Sequence, residues 1–175
     1  TTWPASALTQ IVAKIDGGYA LCSGVFVGEN VVLTAAHCLY DPDGGGWPID
    51  LVVVPGMDGP AMPYGTFRYS NLWVPDGWAV AADRSDPDPT FDWGIITLSQ
   101  PAGRTVGHMR MGVLTDATLK AANLTPLTAG YPGDKPQGTQ WWGQRPALTS
   151  IDANYLVHDL DVFNGQSGSP VWRAS

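Results

Sequence analysis

Glycine and proline punctuate this sequence from end to end: 21 and 15 of them lie scattered through 175 residues. Glycine favours turns through its backbone freedom, proline through its fixed φ and missing donor. A chain interrupted so often has little room for long helices. It favours many short strands joined by turns, which is an all-β architecture. Hydrophobic residues make up 44% and charged residues 14%, enough apolar side chain for a core and too little charge for a disordered tail.

Short apolar or β-branched runs bounded by turn residues predict strands over 11–15, 23–27, 31–35, 51–55, 94–98, 123–130, 155–160 and 169–172. Gly17-Gly18 and Gly28-Glu29-Asn30 read as hairpin turns, and 35–39 as a single helical turn. The segments 41–47 and 83–89, rich in Gly or in Asp and Pro, read as loops. The segment 99–116 is a candidate joint between two lobes, which gives domains of 1–110 and 111–175.

A net charge of −7 and the lack of a Lys/Arg cluster argue against nucleic-acid binding. No apolar run reaches the roughly 18 residues of a membrane span. No signal peptide is visible, so for a secreted protein residue 1 stands at a processed or an artificial terminus. Cys22 and Cys38 are the two cysteines, too few for a structural zinc site by themselves. A disulfide, and with it an oxidising compartment, is the sharper reading, and two buried thiols are the plainer one. Asp41, Asp43, Asp86 and Asp88 admit a structural calcium, although solvated turn acids explain them more simply.

Three motifs carry chemistry. In Thr34-Ala35-Ala36-His37-Cys38 a strand runs into a turn that presents a histidine. In Phe91-Asp92-Trp93-Gly94 an aspartate stands before an apolar strand, between two aromatics expected to shield it from water. In Asn164-Gly165-Gln166-Ser167-Gly168-Ser169-Pro170 a serine sits in a glycine-rich turn. A serine hydroxyl needs a base to become a nucleophile. An imidazole serves, and a carboxylate fixes its tautomer and stabilises the imidazolium. Gly165 allows the amides of Gly165 and Ser167 to point the same way, as an oxyanion hole requires. The order His, Asp, Ser differs from the Ser, Asp, His of α/β-hydrolases.

The stretches TAAHC and GQSGSP resemble the chymotrypsin-like serine proteases. Val54-Pro55-Gly56-Met57, Pro63-Tyr64-Gly65, Thr105-Val106-Gly107 and Gly130-Tyr131-Pro132-Gly133-Asp134-Lys135 are similar to the bacterial glutamyl-endopeptidase branch. The resemblance implies two antiparallel Greek-key β-barrels with a catalytic site in the cleft between them. It makes His37 the general base, Asp92 its orienting partner and Ser167 the nucleophile, with Gly165 and Ser167 supplying the oxyanion hole. It implies a Cys22–Cys38 disulfide, whose loop of about 17 residues contributes roughly 3 kcal/mol in the chain-entropy model. It also implies protein or peptide substrates, secretion and no cofactor.

Departures from the family pattern shape the remaining expectations. Gln166 replaces the aspartate that pairs with a freed N-terminus in trypsin-like enzymes, so that activation route is not expected. Asp161, Val162 and Asn164 fall at substrate-binding positions, but Val162 cannot donate the hydrogen bond that glutamyl endopeptidases make there with Thr or Ser. Glu/Asp, Arg/Lys and broad preferences for the residue before the cleaved bond (P1) therefore all stand. Thr1 and Thr2 are candidates for a terminal amine in the pocket. The chain ends eight residues after Ser167, so the second barrel is expected to be incomplete; either a cleaved C-terminal fragment stays bound and completes it, or the sequence is a truncated piece of a longer chain. His108 and His158 are candidate substrate contacts that read more simply as surface or interface histidines, and Trp141-Trp142 read as either a subsite or loop packing. An inactive protease-like binding module and an esterase are the competing functions.

Overall fold

The computed structural model describes residues 1–42, 45–80, 88–120, 125–144, 148–152 and 154–173. Asp43, Asp86, most of the 83–89 loop and the start of the strand expected over 123–130 lie outside the described residues.

Six strands close into a barrel: β1 (Leu8–Ile15), β2 (Gly18–Phe26), β3 (Val31–Thr34), β4 (Asp50–Pro55), β5 (Phe67–Trp73) and β6 (Gly94–Leu98). Their order is β1-β2-β3-β6-β5-β4, and every pairing is antiparallel. Closure removes the unpaired edges that an open sheet would present. Gly17, at φ 80°, makes the turn that pairs Ile15 with Gly18. The strict alternation along β6 places Gly94, Ile96 and Leu98 inward. They meet Ile11, Phe26, Val32, Leu51 and Val53, all essentially buried. Each such side chain contributes about 1.5–3 kcal/mol of burial.

β5 is a strand that the sequence reading passes over. Its register slips between Tyr69 and Asn71 against β6, so Phe67, Tyr69 and then Leu72 pack on the core. That bulge breaks the period of two on which strand reading depends.

The remaining strands are β7 (Pro126–Gly130), β8 (Trp141–Gln144), β9 (Ser150–Ile151), β10 (Leu156–Val157) and β11 (Val171–Arg173). They form a three-stranded sheet in the order β11-β7-β8 and a separate β9–β10 pair. The protein is therefore all-β, with one closed barrel and an incomplete second one. The strands expected over 155–160 and 169–172 shrink to two and three residues. Val113, Leu114, Leu156, Val157 and Val171 are each at least 40% exposed around this open sheet.

Cys22 on β2 and Cys38 on the short 3-10 turn Ala36–Cys38 form a disulfide, which ties the His37 turn to the barrel wall. The turn also stacks its Ala36 and Leu39 into the core.

Candidate active site

His37 and Asp92 meet through both carboxylate oxygens. The His37 backbone N–H donates to Asp92 Oδ1 at 3.0 Å, and the His37 ring Nδ1 lies 2.7 Å from Asp92 Oδ2. The strand ends explain the meeting: Thr34 pairs with Gly94, so the turns leaving β3 and entering β6 lie side by side. Gly94 lets the strands close here, because a Cβ on it would come within 2.8 Å of the Leu39 side chain. Burial works against ionisation of Asp92, but the bonds from the His37 ring and the His37 and Ala36 backbone outweigh it. The carboxyl is held below its ordinary range.

Phe91 and Trp93, expected to shield Asp92, are both partly open to solvent. They are 39% and 40% exposed; Phe91 lies over Gly77, and Trp93 packs on Trp73 with ring centroids 5.0 Å apart. The buried aromatic beside His37 is Trp78, with its ring 6.5 Å away and its indole N–H donating to the Tyr40 carbonyl. No sequence pattern pointed to it.

The Ser167 loop docks on the closed barrel. Ser23 N–H on β2 donates to the Ser167 carbonyl at 2.8 Å, and the same carbonyl lies 3.8 Å from Cys38 Sγ, next to His37. Gly168 has φ 81°, and a Cβ there would collide with Thr34 Oγ1 and the Ser23 carbonyl. The Ser167 hydroxyl makes no hydrogen bond among the described residues.

Two peptide groups in this loop are oriented from behind. Gly133 N–H donates to the Asn164 carbonyl at 2.7 Å, and Ser169 N–H donates to the Gln166 carbonyl at 2.8 Å. In a trans peptide the N–H points opposite to the C=O. The amides of Gly165 and Ser167 therefore face away from these anchors, and neither donates to an acceptor among the described residues. Gly165 has φ 99°, and a Cβ on it would sit 2.5 Å from the Tyr131 carbonyl. Gln166, 8% exposed, uses its side chain to accept from Phe163 N–H at 2.9 Å and so closes the turn locally.

A cavity of about 460 Å³ opens beside Ser167, lined among others by Thr128, His158, Val162, Phe163, Asn164 and Ser169. Val162 and Asn164 thus share it with Ser167, but Asp161 does not. Asp161 lines an adjoining depression with Lys135, Trp141 and Trp142, and Val162, Phe163 and Gln166 line both. His158, half-buried, joins the cavity instead of lying on the open surface, while His108 is exposed. Thr1 is placed at Gly56 and Tyr64: its hydroxyl donates to the Gly56 carbonyl and its carbonyl accepts from Tyr64 Oη. Asp88 caps Thr90 through its N–H and hydroxyl. Among the described residues the one cluster of potential metal ligands is Cys22, His37 and Cys38. Both sulfurs there belong to the disulfide, which does not suit a thiolate-held metal.

This geometry has counterparts. The family profile described as Trypsin matches residues 2–175. A glutamyl endopeptidase of Bacillus licheniformis is 35% identical over 175 residues, a match covering 100% of this chain and 51% of that protein. A Bacillus subtilis protein named extracellular metalloprotease is 33% identical, covering 99% and 53%. The chain thus spans about half the length of the curated relatives it matches. A solved structure of a Glu endopeptidase in complex with MPD superposes with a TM-score of 0.82 at 24% identity, over 98% of this chain and 75% of the other. Barrel topology, motif order and profile agree: the chain belongs to the trypsin family of chymotrypsin-fold serine endopeptidases.

Proposed function

We propose that the protein is a secreted endopeptidase that cleaves protein substrates through an acyl-enzyme at Ser167. The observation that carries this reading is the docking of the Ser167 loop beside the histidine turn: the Ser167 carbonyl accepts from Ser23 N–H and lies 3.8 Å from Cys38 Sγ, the neighbour of the Asp92-bonded His37. His37 takes the Ser167 proton as Oγ attacks the scissile carbonyl. The oxyanion accepts hydrogen bonds from Gly165 and Ser167 N–H. The imidazolium, steadied by Asp92, returns the proton to the leaving amine. Water, deprotonated by His37, then attacks the ester and frees Ser167. No cofactor takes part. The disulfide fits an oxidising, extracellular location.

The cavity beside Ser167 is assigned the P1 side chain, with a preference for Glu or Asp. His158 Nδ1 accepts from Leu160 N–H at 3.2 Å, which leaves its ring proton on Nε2 as a donor. The names of relatives as glutamyl endopeptidases favour the same choice. An Arg/Lys preference would need an acid in the cavity lining, and Asp161 belongs to the neighbouring depression beside Lys135. Peptides varied only at P1 test this: Glu or Asp is expected to exceed Arg or Lys by about tenfold or more in kcat/KM. Faster cleavage after Arg or Lys would overturn the assignment.

The open sheet β11-β7-β8 is assigned a further partner, strands from a C-terminal segment of the whole protein or from a cleaved fragment. The division into lobes of 1–110 and 111–175 follows the same reading, with His37 and Asp92 on the first and Ser167 on the second. Gly165→Ala is expected to lower kcat by about 10²–10³ with little change in KM, because an added Cβ would turn the 164–165 peptide. A folded variant with kcat within threefold of wild type would show that this amide does not serve the oxyanion.

A further inference from the structure

We infer that Ser23, on the closed barrel, is a positioning residue that locks the oxyanion loop across the two halves of the fold. This rests on the proposed acyl-enzyme reading and extends it to a residue far from the nucleophile in sequence. Ser23 is 1% exposed and sits opposite Gln10 in the β1–β2 pair. A polar side chain buried that deeply in a strand needs partners, and Ser23 has two. Its hydroxyl donates to the Gly165 carbonyl at 2.8 Å and accepts from the Tyr131 N–H, at the end of β7, at 2.9 Å. One hydroxyl proton and one lone pair account for both bonds.

The position of these bonds matters. The peptide joining Gly165 to Gln166 lies between the two peptides whose N–H groups face the oxyanion. Ser23 Oγ holds its carbonyl end, and the Phe163 carbonyl accepts from its N–H at 3.0 Å. Ser23 also fixes the far side of the loop, since its own N–H bonds the Ser167 carbonyl. Its carbonyl in turn accepts from Thr34 Oγ1 at 2.7 Å, three residues before His37. Ser23 therefore links the nucleophile loop, the strand before the histidine turn and β7. Without its hydroxyl the central peptide keeps only the bond at its N–H and loses the hold on its carbonyl, so the aim of the two flanking donors is less tightly fixed. Tyr131 is 2% exposed, so water cannot readily replace the missing acceptor.

The test is kinetic, in the full-length protein. Ser23→Ala, Ser23→Cys and Ser23→Thr are compared with wild type for kcat, KM, pH profile, Tm and inhibition by a peptide boronic acid, whose tetrahedral adduct uses the oxyanion hole. Ser23→Ala and Ser23→Cys are expected to lower kcat by about 10–100-fold. KM should stay within about threefold and the boronate should weaken in step with kcat, because only tetrahedral states need the aligned donors. The pH midpoint should not move, and Ser23→Thr, which keeps the hydroxyl, should recover kcat to within about threefold of wild type. Ser23→Cys, close to serine in volume, covers the case in which Ser23→Ala does not fold. A lowered Tm with unchanged kcat and boronate affinity would reduce Ser23 to a structural role and overturn the inference. So would a loss expressed as a shifted pH midpoint, which would place the effect on His37. A wild-type protein without peptidase activity would instead sink the reading on which the inference rests.

Discussion

Ser167→Ala is expected to lower kcat by about 10⁶ while leaving the protein folded. The size follows from the role: without Oγ there is no acyl-enzyme, and the base and oxyanion donors have nothing to act with. The stability expectation comes from the geometry. The Ser167 hydroxyl makes no hydrogen bond among the described residues, whereas its carbonyl keeps the bond to Ser23 N–H in the variant. Truncations of this kind usually change stability by under about 0.5 kcal/mol. Steady-state kinetics on a peptide substrate and a thermal melt check both parts. A variant that retained a hundredth of wild-type kcat would show that another group is the nucleophile.

Asp92→Asn is expected to lower kcat by about 10⁴ near neutral pH. Asp92 contacts His37 twice, once at its backbone N–H and once at its ring. The backbone N–H is a fixed donor, so the asparagine oxygen must face it. The amide NH₂ then faces ring Nδ1 and forces that nitrogen to accept. The ring proton moves to Nε2, and the imidazole cannot take the serine proton. A fall of less than tenfold in a folded Asp92→Asn variant would contradict this account of the carboxylate. The pH sense is also defined. The folded-state pKa of Asp92 is depressed, so its contribution to stability is present above the unfolded carboxylate value near 3.9 and disappears as pH falls through the lower folded value. The stability difference between wild type and Asp92→Asn should be full above about pH 4 and shrink as pH falls below it, which unfolding measured as a function of pH checks.

The sequence made much of this legible because the informative residues sit at the ends of short, well-patterned strands. Val31–Thr34 and Gly94–Leu98 each announce themselves by apolar character, and their pairing brings His37 and Asp92 together. The Cys22–Cys38 pairing came with the family resemblance and is found in the structure. β5 was hidden by its bulge at Tyr69–Asn71, and β8 by its two half-exposed tryptophans, which read equally well as a subsite. β9, two residues long, carries too little pattern to read.

What stayed hidden in the site was non-local. Ser23 sat in the sequence as a polar residue within an apolar strand, but its partner Gly165 lies 142 positions away. Trp78 gave no signal at all, because its place beside His37 depends on how the loop after β5 folds back. Asp161 was placed by matching its position before Ser167 to the family pattern. In the structure it lines a depression with Lys135 and the β8 tryptophans that adjoins the Ser167 cavity, Val162 and Phe163 lining both.

The most direct measurement is the reaction of the full-length protein with a fluorophosphonate, followed by intact mass and peptide mapping. A phosphonate ester forms readily only on a serine that has a working base and an oxyanion site. The account predicts one adduct per chain, on Ser167, lost in Ser167→Ala and strongly slowed in Asp92→Asn. A folded protein that stays unlabelled, or carries the label on another serine, would contradict it and favour a protease-like fold used for binding.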